Sequence, residues 1–185
     1  MNHGSVPGML NRAQLGELIE RGEIETVLTV FPDMYGRLMG KRSTGRFFLD
    51  HILGKDGDPA AGEGIEACDY LLTVDVDMNV VEGYRFATWD GGYGDFRAIP
   101  DLSTLRIIPW LEATALVMCD IVDHHGHPVE VSPRRILQRQ LERSAERDMS
   151  VMCGTELEFF LYKDSYDDLA ARGYVSPTTS SSYNL

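Results

Sequence analysis

Apolar residues recur at helical spacing over residues 12–21, where Leu15, Leu18 and Ile19 form one stripe. Asn11 can cap this helix and Gly22 can stop it. Residues 25–31 switch to alternation, Pro32-Asp33-Met34-Tyr35-Gly36 has turn chemistry, and residues 37–42 return as a partner strand. Ser43 or Thr44 can cap a short helix through Phe47, Phe48 and Leu53. Residues 54–64 are a loop rich in Gly, Asp, Pro and Ala. Over residues 69–78, Leu71, Thr73, Asp75 and Asp77 alternate with Leu72, Val74, Val76 and Met78, which predicts a half-exposed strand. Residues 104–110 and 113–122 predict two more strands. Ser132 and Pro133 open a second long helix, whose buried side is expected at Ile136, Leu137, Gln140, Leu141 and Ala145. Arg134, Arg135, Arg139, Arg143 and Arg147, interspersed with acids, are expected on its solvated face. An apolar strand over 153–162 follows, then a helix over 165–172 ending at Gly173. The pattern is that of an α+β chain.

Composition narrows the function classes. The chain has 185 residues, 43% hydrophobic and 25% charged, an ordinary soluble mixture. Its formal net charge of −12 argues against a nucleic-acid or anionic-membrane partner, which needs a basic face. No run reaches the ~18 apolar residues of a membrane span. Residues 1–8 lack the basic-then-apolar pattern of a signal peptide. Cys68, Cys119 and Cys153 form no Cys-x-x-Cys pair, so packed, reduced thiols and a cytoplasmic location are expected.

The 153–162 strand is apolar except at Glu156 and Glu158. Positions two apart share a strand face, which sets these glutamates roughly 6.5–7 Å apart with Leu157, Phe159 and Leu161 opposite. Two carboxylates on a partly buried face repel each other and lose hydration. A hard divalent cation such as Mg²⁺ or Mn²⁺ removes both penalties.

Trp89-Asp90-Gly91-Gly92-Tyr93-Gly94-Asp95 sets two aromatics and two aspartates within a glycine cluster, where a backbone can approach a ligand. It is not a P-loop. Asp69, Asp75 and Asp77 are read as the polar face of a strand rather than as a metal cluster. Asp123-His124-His125-Gly126-His127 is read as a polar hairpin turn rather than a zinc site, because no complementary Cys or His cluster accompanies it.

Gly154-Thr155-Glu156-Leu157-Glu158-Phe159-Phe160-Leu161 resembles the Glu-x-Glu-Phe-Phe-Leu strand of the glutamine synthetase family, and it follows a Ser132-Pro133-Arg134-Arg135-Ile136-Leu137 helix start as it does there. Gly92-Tyr93-Gly94-Asp95-Phe96, Pro100-Asp101-Leu102-Ser103-Thr104-Leu105-Arg106 and Ile107-Ile108-Pro109-Trp110 resemble the branch that joins glutamate to amines other than ammonia, the polyamine and ethanolamine ligases. The resemblance covers nearly the whole chain but only the front of the family's length. It implies a β-grasp domain over residues 1–111 and the start of a catalytic α/β barrel over 112–185. It implies an ATP-dependent ligase that makes a γ-glutamyl phosphate, with Glu156 and Glu158 as Mg²⁺ or Mn²⁺ ligands. Glutamate, ATP and ammonia or a small amine are the implied partners, in a ring-shaped homo-oligomer, in which an Asp-Gly-Ser-Ser loop completes the site of an adjacent subunit. Counting back from Pro109 sets Asp90-Gly91 on that Asp-Gly pair, with Gly92 and Tyr93 in place of the serines; Asp95 competes for the same catalytic role. The chain alone is expected to be inactive, as a piece of a longer enzyme or a truncated product. A non-catalytic family member with a structural or regulatory role is the alternative.

Overall fold

The computed structural model describes residues 7–54 and 63–181, and the chain divides into two compact units, residues 1–149 and 150–185. Most of the loop expected at 54–64 lies outside the described residues.

The first unit opens with helix α1 (Arg12–Glu20). Asn11 caps it: its side chain accepts from the Gln14 N–H at 2.9 Å, and the Gln14 side chain accepts from the Asn11 N–H in return. Strand β1 (Thr26–Pro32) buries Val27, Val30 and Phe31 and pairs antiparallel with β2 (Leu38–Thr44), as the alternation predicts. Thr44 then caps a single turn, α2 (Gly45–Phe47), which runs into a π-turn over Phe48–Ile52.

Strands β3 (Ile65–Cys68), β4 (Asp95–Pro100), β5 (Arg106–Ile107) and β6 (Thr114–Val122) complete the sheet. Its order is β2-β1-β6-β4-β3, with β5 also on β6. Among the described strands, β1 and β6 run parallel and the other pairs are antiparallel. The nine residues of β6 occupy the middle and are buried at Thr114, Ala115, Leu116, Val117, Cys119 and Ile121. One core cluster joins Leu15, Phe31, Phe48, Phe96 and Val117, with Phe31 edge-on to Phe96 at 5.2 Å. Strand β6 belongs to this sheet and to the first compact unit.

Within the first unit the structure departs from expectation in places. Residues 69–78 are not a strand: Asp69–Leu72 form a 3-10 turn, and the next loop closes on Asp75. The Asp75 carboxylate accepts from the N–H groups of Asp77 and Asn79 at 2.9 and 2.8 Å, so its side chain captures the donors a ladder would need. Helix α3 (Pro133–Ala145) forms where expected, yet no residue on it is buried, and Ile136, Leu137 and Leu141 are exposed. The polar side meets the sheet instead. Arg134 pairs with Asp101 and, through Nε at 2.7 Å, with Asp120, which also accepts from Gln138 at 2.8 Å. Arg134 and Arg135 are therefore largely covered and ion-paired, not on a solvated stripe.

The second unit contains α4 (Tyr166–Ala171), capped by Ser165. Tyr162 bridges Thr179, and Asp164 accepts from Arg172 and from the Thr178 N–H. Among the described residues, no helix is long and apolar enough to cross a membrane.

Candidate functional site

The four residues singled out from the sequence belong to two units. Asp90 and Asp95 lie in the first, Glu156 and Glu158 in the second.

The loop carrying Asp90 is built by local hydrogen bonds. The Gly91 N–H donates to the Thr88 hydroxyl at 3.0 Å, and the Gly92 N–H donates to the Trp89 carbonyl at 3.1 Å. Further on, Asp69 and Gly94 clasp each other: the Asp69 N–H donates to the Gly94 carbonyl at 2.9 Å, and the Asp69 carboxylate accepts from the Gly94 N–H at 3.1 Å. Asp95 opens β4 opposite Cys68. Both Asp90 and Asp95 are exposed, and neither makes an ion pair among the described residues. Burial and the neighbouring Asp69 and Asp95 charges push the Cys68 thiol above its ordinary value.

Residues 150–161 have no regular secondary structure, and the expected strand over 153–162 is absent save for the Tyr162 bridge. Leu157 and Phe159, expected in a core, are 89% and 76% exposed. The reason is backbone pairing: a strand needs partners for its N–H and C=O groups, and the described residues supply one bridge, with Ser180 N–H donating to the Leu161 carbonyl at 3.1 Å. Cys153 is exposed as well, contrary to the expectation of a packed thiol, whereas Cys119 is buried and its thiol is held well above the ordinary range by burial and by Asp120.

Carboxylate oxygens suit a hard divalent cation in kind. In number they fall short: no group of three or more His, Cys, Asp or Glu able to hold a metal is gathered among the described residues. The Asp123–His127 segment is a hairpin turn in which the Asp123 carboxylate accepts from the His125 and His127 N–H groups, both at 2.8 Å. Cavities among the described residues of the first unit include two of note. One of about 700 Å³ is lined by Arg12, Ala13, Gly16, Leu49, Asp50 and His51, and one of about 370 Å³ lies between β4, β6 and α3. Neither is lined by any of the four expected site residues. Tyr70 carried no signal in the sequence, although its ring meets Tyr93 edge-on at 5.6 Å, because it lies 23 positions before Tyr93 and outside the glycine cluster.

The family model for the glutamine synthetase catalytic domain matches residues 130–184. The chain belongs to the glutamine synthetase family, and within it to the amine-ligase branch. It is 45% identical over 172 residues to the gamma-glutamylethanolamide synthetase GlnA4 of Streptomyces coelicolor, covering 93% of this chain and 36% of that protein. It is 35% identical over 155 residues to a glutamate–isopropylamine ligase of a Pseudomonas species, covering 84% of this chain and 32% of that protein. The chain thus spans about a third of the length of these curated relatives. A solved structure described as apo GmaS without ligand shares the fold, with a TM-score of 0.52 and 24% identity over 73% of this chain and 27% of that one.

Proposed function

We propose that this chain carries the front part of an ATP-dependent ligase that joins the γ-carboxylate of glutamate to a small amine. The observation that carries the reading is its likeness, over most of its length, to two relatives, one named for a γ-glutamylethanolamide product and the other for isopropylamine as the partner of glutamate. ATP phosphorylates the γ-carboxylate and releases ADP. The amine nitrogen then attacks the acyl carbon, phosphate leaves, and the ammonium's surplus proton is given up.

In this reading Asp95, with Asp90 as the competing residue, receives the acceptor ammonium, which a carboxylate favours by charge and hydrogen bonding. These residues would serve the site of an adjacent subunit in a ring-shaped homo-oligomer. Glu156 and Glu158 would hold Mg²⁺ or Mn²⁺, which when bound neutralises charge on the transferring phosphoryl group. The remaining ligands would come from the part of the catalytic domain that the relatives have and these 185 residues do not span. The first domain is read as a β-grasp; the order β2-β1-β6-β4-β3 with a parallel central pair supports this.

The test is the complete protein incubated with ATP, Mg²⁺ or Mn²⁺, glutamate, and ammonia, ethanolamine or isopropylamine in turn. Phosphate release and the mass of the γ-glutamyl amide are followed. Product with an alkylamine or ethanolamine at far lower concentration than with ammonia is expected. Product with ammonia alone overturns the amine assignment, and no product with any of them leaves the non-catalytic alternative.

A further inference from the structure

Three rings stand in file beside the glycine loop. Tyr70 meets Tyr93 edge-on at 5.6 Å, and Tyr93 meets Trp89 edge-on at 6.2 Å. Tyr93 is thus shared, and the file runs from the half-buried Tyr70 out to Trp89, which is 80% exposed. The backbone holds the file at both ends. The Thr88–Gly92 turn fixes Trp89, and the clasp between Asp69 and Gly94 ties the residue after Tyr93 to the residue before Tyr70.

Carboxylates flank the rings. Asp69 precedes Tyr70, Asp90 follows Trp89, and Asp95 lies two residues beyond Tyr93. None of the three is ion-paired among the described residues. Elsewhere the chain does supply such a ring with a cation: Arg37 sits 5.2 Å from the centroid of Tyr35. Aromatic faces attract cations and take up the methylene groups beside them, while unpaired carboxylates repel anions.

We propose that Trp89, Tyr93 and Tyr70 form the face that selects the acceptor, a primary alkylammonium whose carbon chain lies on the rings while its charged nitrogen is held by Asp95 or Asp90. This rests on the amine-ligase reading above. It assigns the aromatic file to discrimination: ammonium has no carbon to lay on the rings, so the face favours an alkylamine over ammonia. The departure of Gly92 and Tyr93 from the serines of the Asp-Gly-Ser-Ser loop then has a purpose, because Tyr93 is the ring that joins the other two.

The experiment compares the complete wild-type protein with Trp89→Ala, Trp89→Phe and Tyr93→Ala. Michaelis constants for propylamine and for ammonia are measured by phosphate release. Trp89→Ala and Tyr93→Ala are expected to raise the propylamine constant about tenfold and the ammonia constant by a clearly smaller factor. Trp89→Phe should recover most of the loss. Equal rises for both amines, or no rise for propylamine, overturn the proposal. A second measurement does not need turnover. Propylammonium chloride is titrated against tryptophan fluorescence in a Trp110→Phe background, with ammonium chloride as control. A saturable response to propylammonium only, lost in Tyr93→Ala, supports the ring site even if no amine is ligated, in which case the ligase reading alone fails. No saturable response overturns the ring site whatever the activity.

Discussion

Arg37 closes on Asp33, four residues earlier, through Nε at 2.6 Å, and reaches on with its two terminal nitrogens to the carbonyls of Val76 and Asp75 at 2.6 and 2.8 Å. The Asp33 carboxylate is buried and also accepts from the Tyr35 and Arg37 N–H groups at 2.8 and 2.9 Å. One ion pair thus ties the β1–β2 turn to the Asp75 loop. Burial alone would raise the Asp33 carboxyl; the hydrogen bonds from Arg37 and Tyr35 outweigh it and hold the carboxyl below its ordinary value of 3.8. A depressed carboxyl contributes stability that is complete above the unfolded value and is lost as pH falls through the folded one. Wild-type stability should therefore fall as pH drops below about 3.8, and Asp33→Ala, measured by urea unfolding at neutral pH, should cost about 2–3 kcal/mol and flatten that acid limb.

Arg134 fastens α3 to the sheet through Asp101 and Asp120. Arg134→Met keeps the stem and removes the charge, leaving two carboxylates side by side. A loss of about 1–3 kcal/mol is expected, with faster amide exchange in α3 than in β6. Unchanged exchange in α3 would count against the fastening role.

Gly40 has φ +150°, and a Cβ there would lie 2.0 Å from the Thr29 carbonyl oxygen in the neighbouring strand. Gly40→Ala must spread β1 from β2, at a cost of about 2–3 kcal/mol. Gly36→Ala meets no neighbouring atom and has only its own φ of +78° to bear, so it should cost less. Thermal unfolding of both variants checks the ranking.

Residues 150–161 are exposed and irregular, with Phe159, Phe160 and Leu161 uncovered. Brief chymotrypsin treatment of the 185-residue chain should cut after Phe159 or Phe160 before any site in β1 or β6. Mass spectrometry of the first fragments decides this, and early cleavage within Thr114–Val122 would contradict it.

In the complete protein, Glu156→Gln and Glu158→Gln should each raise the Mn²⁺ or Mg²⁺ concentration needed for half-maximal phosphate release by about tenfold or more. An unaltered metal titration would remove both residues from the metal site.

Where local chemistry suffices, the elements follow from the residues. Asn11 and Thr44 cap the helices they were expected to cap, and β1 and β6 form where strands were expected, whereas Ser132 precedes α3 without a side-chain cap bond. The failures occur where something distant or a competing side chain decides. Asp75 outcompetes a ladder for its neighbours' N–H groups. Strands β3 and β4 went unread because Ile65–Cys68 is short and Asp95–Pro100 sits behind a glycine cluster. The periodicity of α3 marks an apolar side but cannot say what lies against it; the pull of Asp101 and Asp120 on Arg134 was invisible in one dimension. For the candidate site, the motifs carried the family, whereas the grouping of Tyr70 with Trp89 and Tyr93 required the fold.

The parallel pair of β1 and β6 joins Thr26 to Thr114, 88 positions later. During synthesis at ~5–20 residues per second, the β1–β2 hairpin emerges many seconds before its central partner leaves the ribosome. Throughout that interval β1 offers an unpaired edge and the buried face of Val27 and Phe31 has no lid. The nascent chain therefore passes through a stage in which its oldest strand is its most adhesive part, and completion of β6 is the event that ends it.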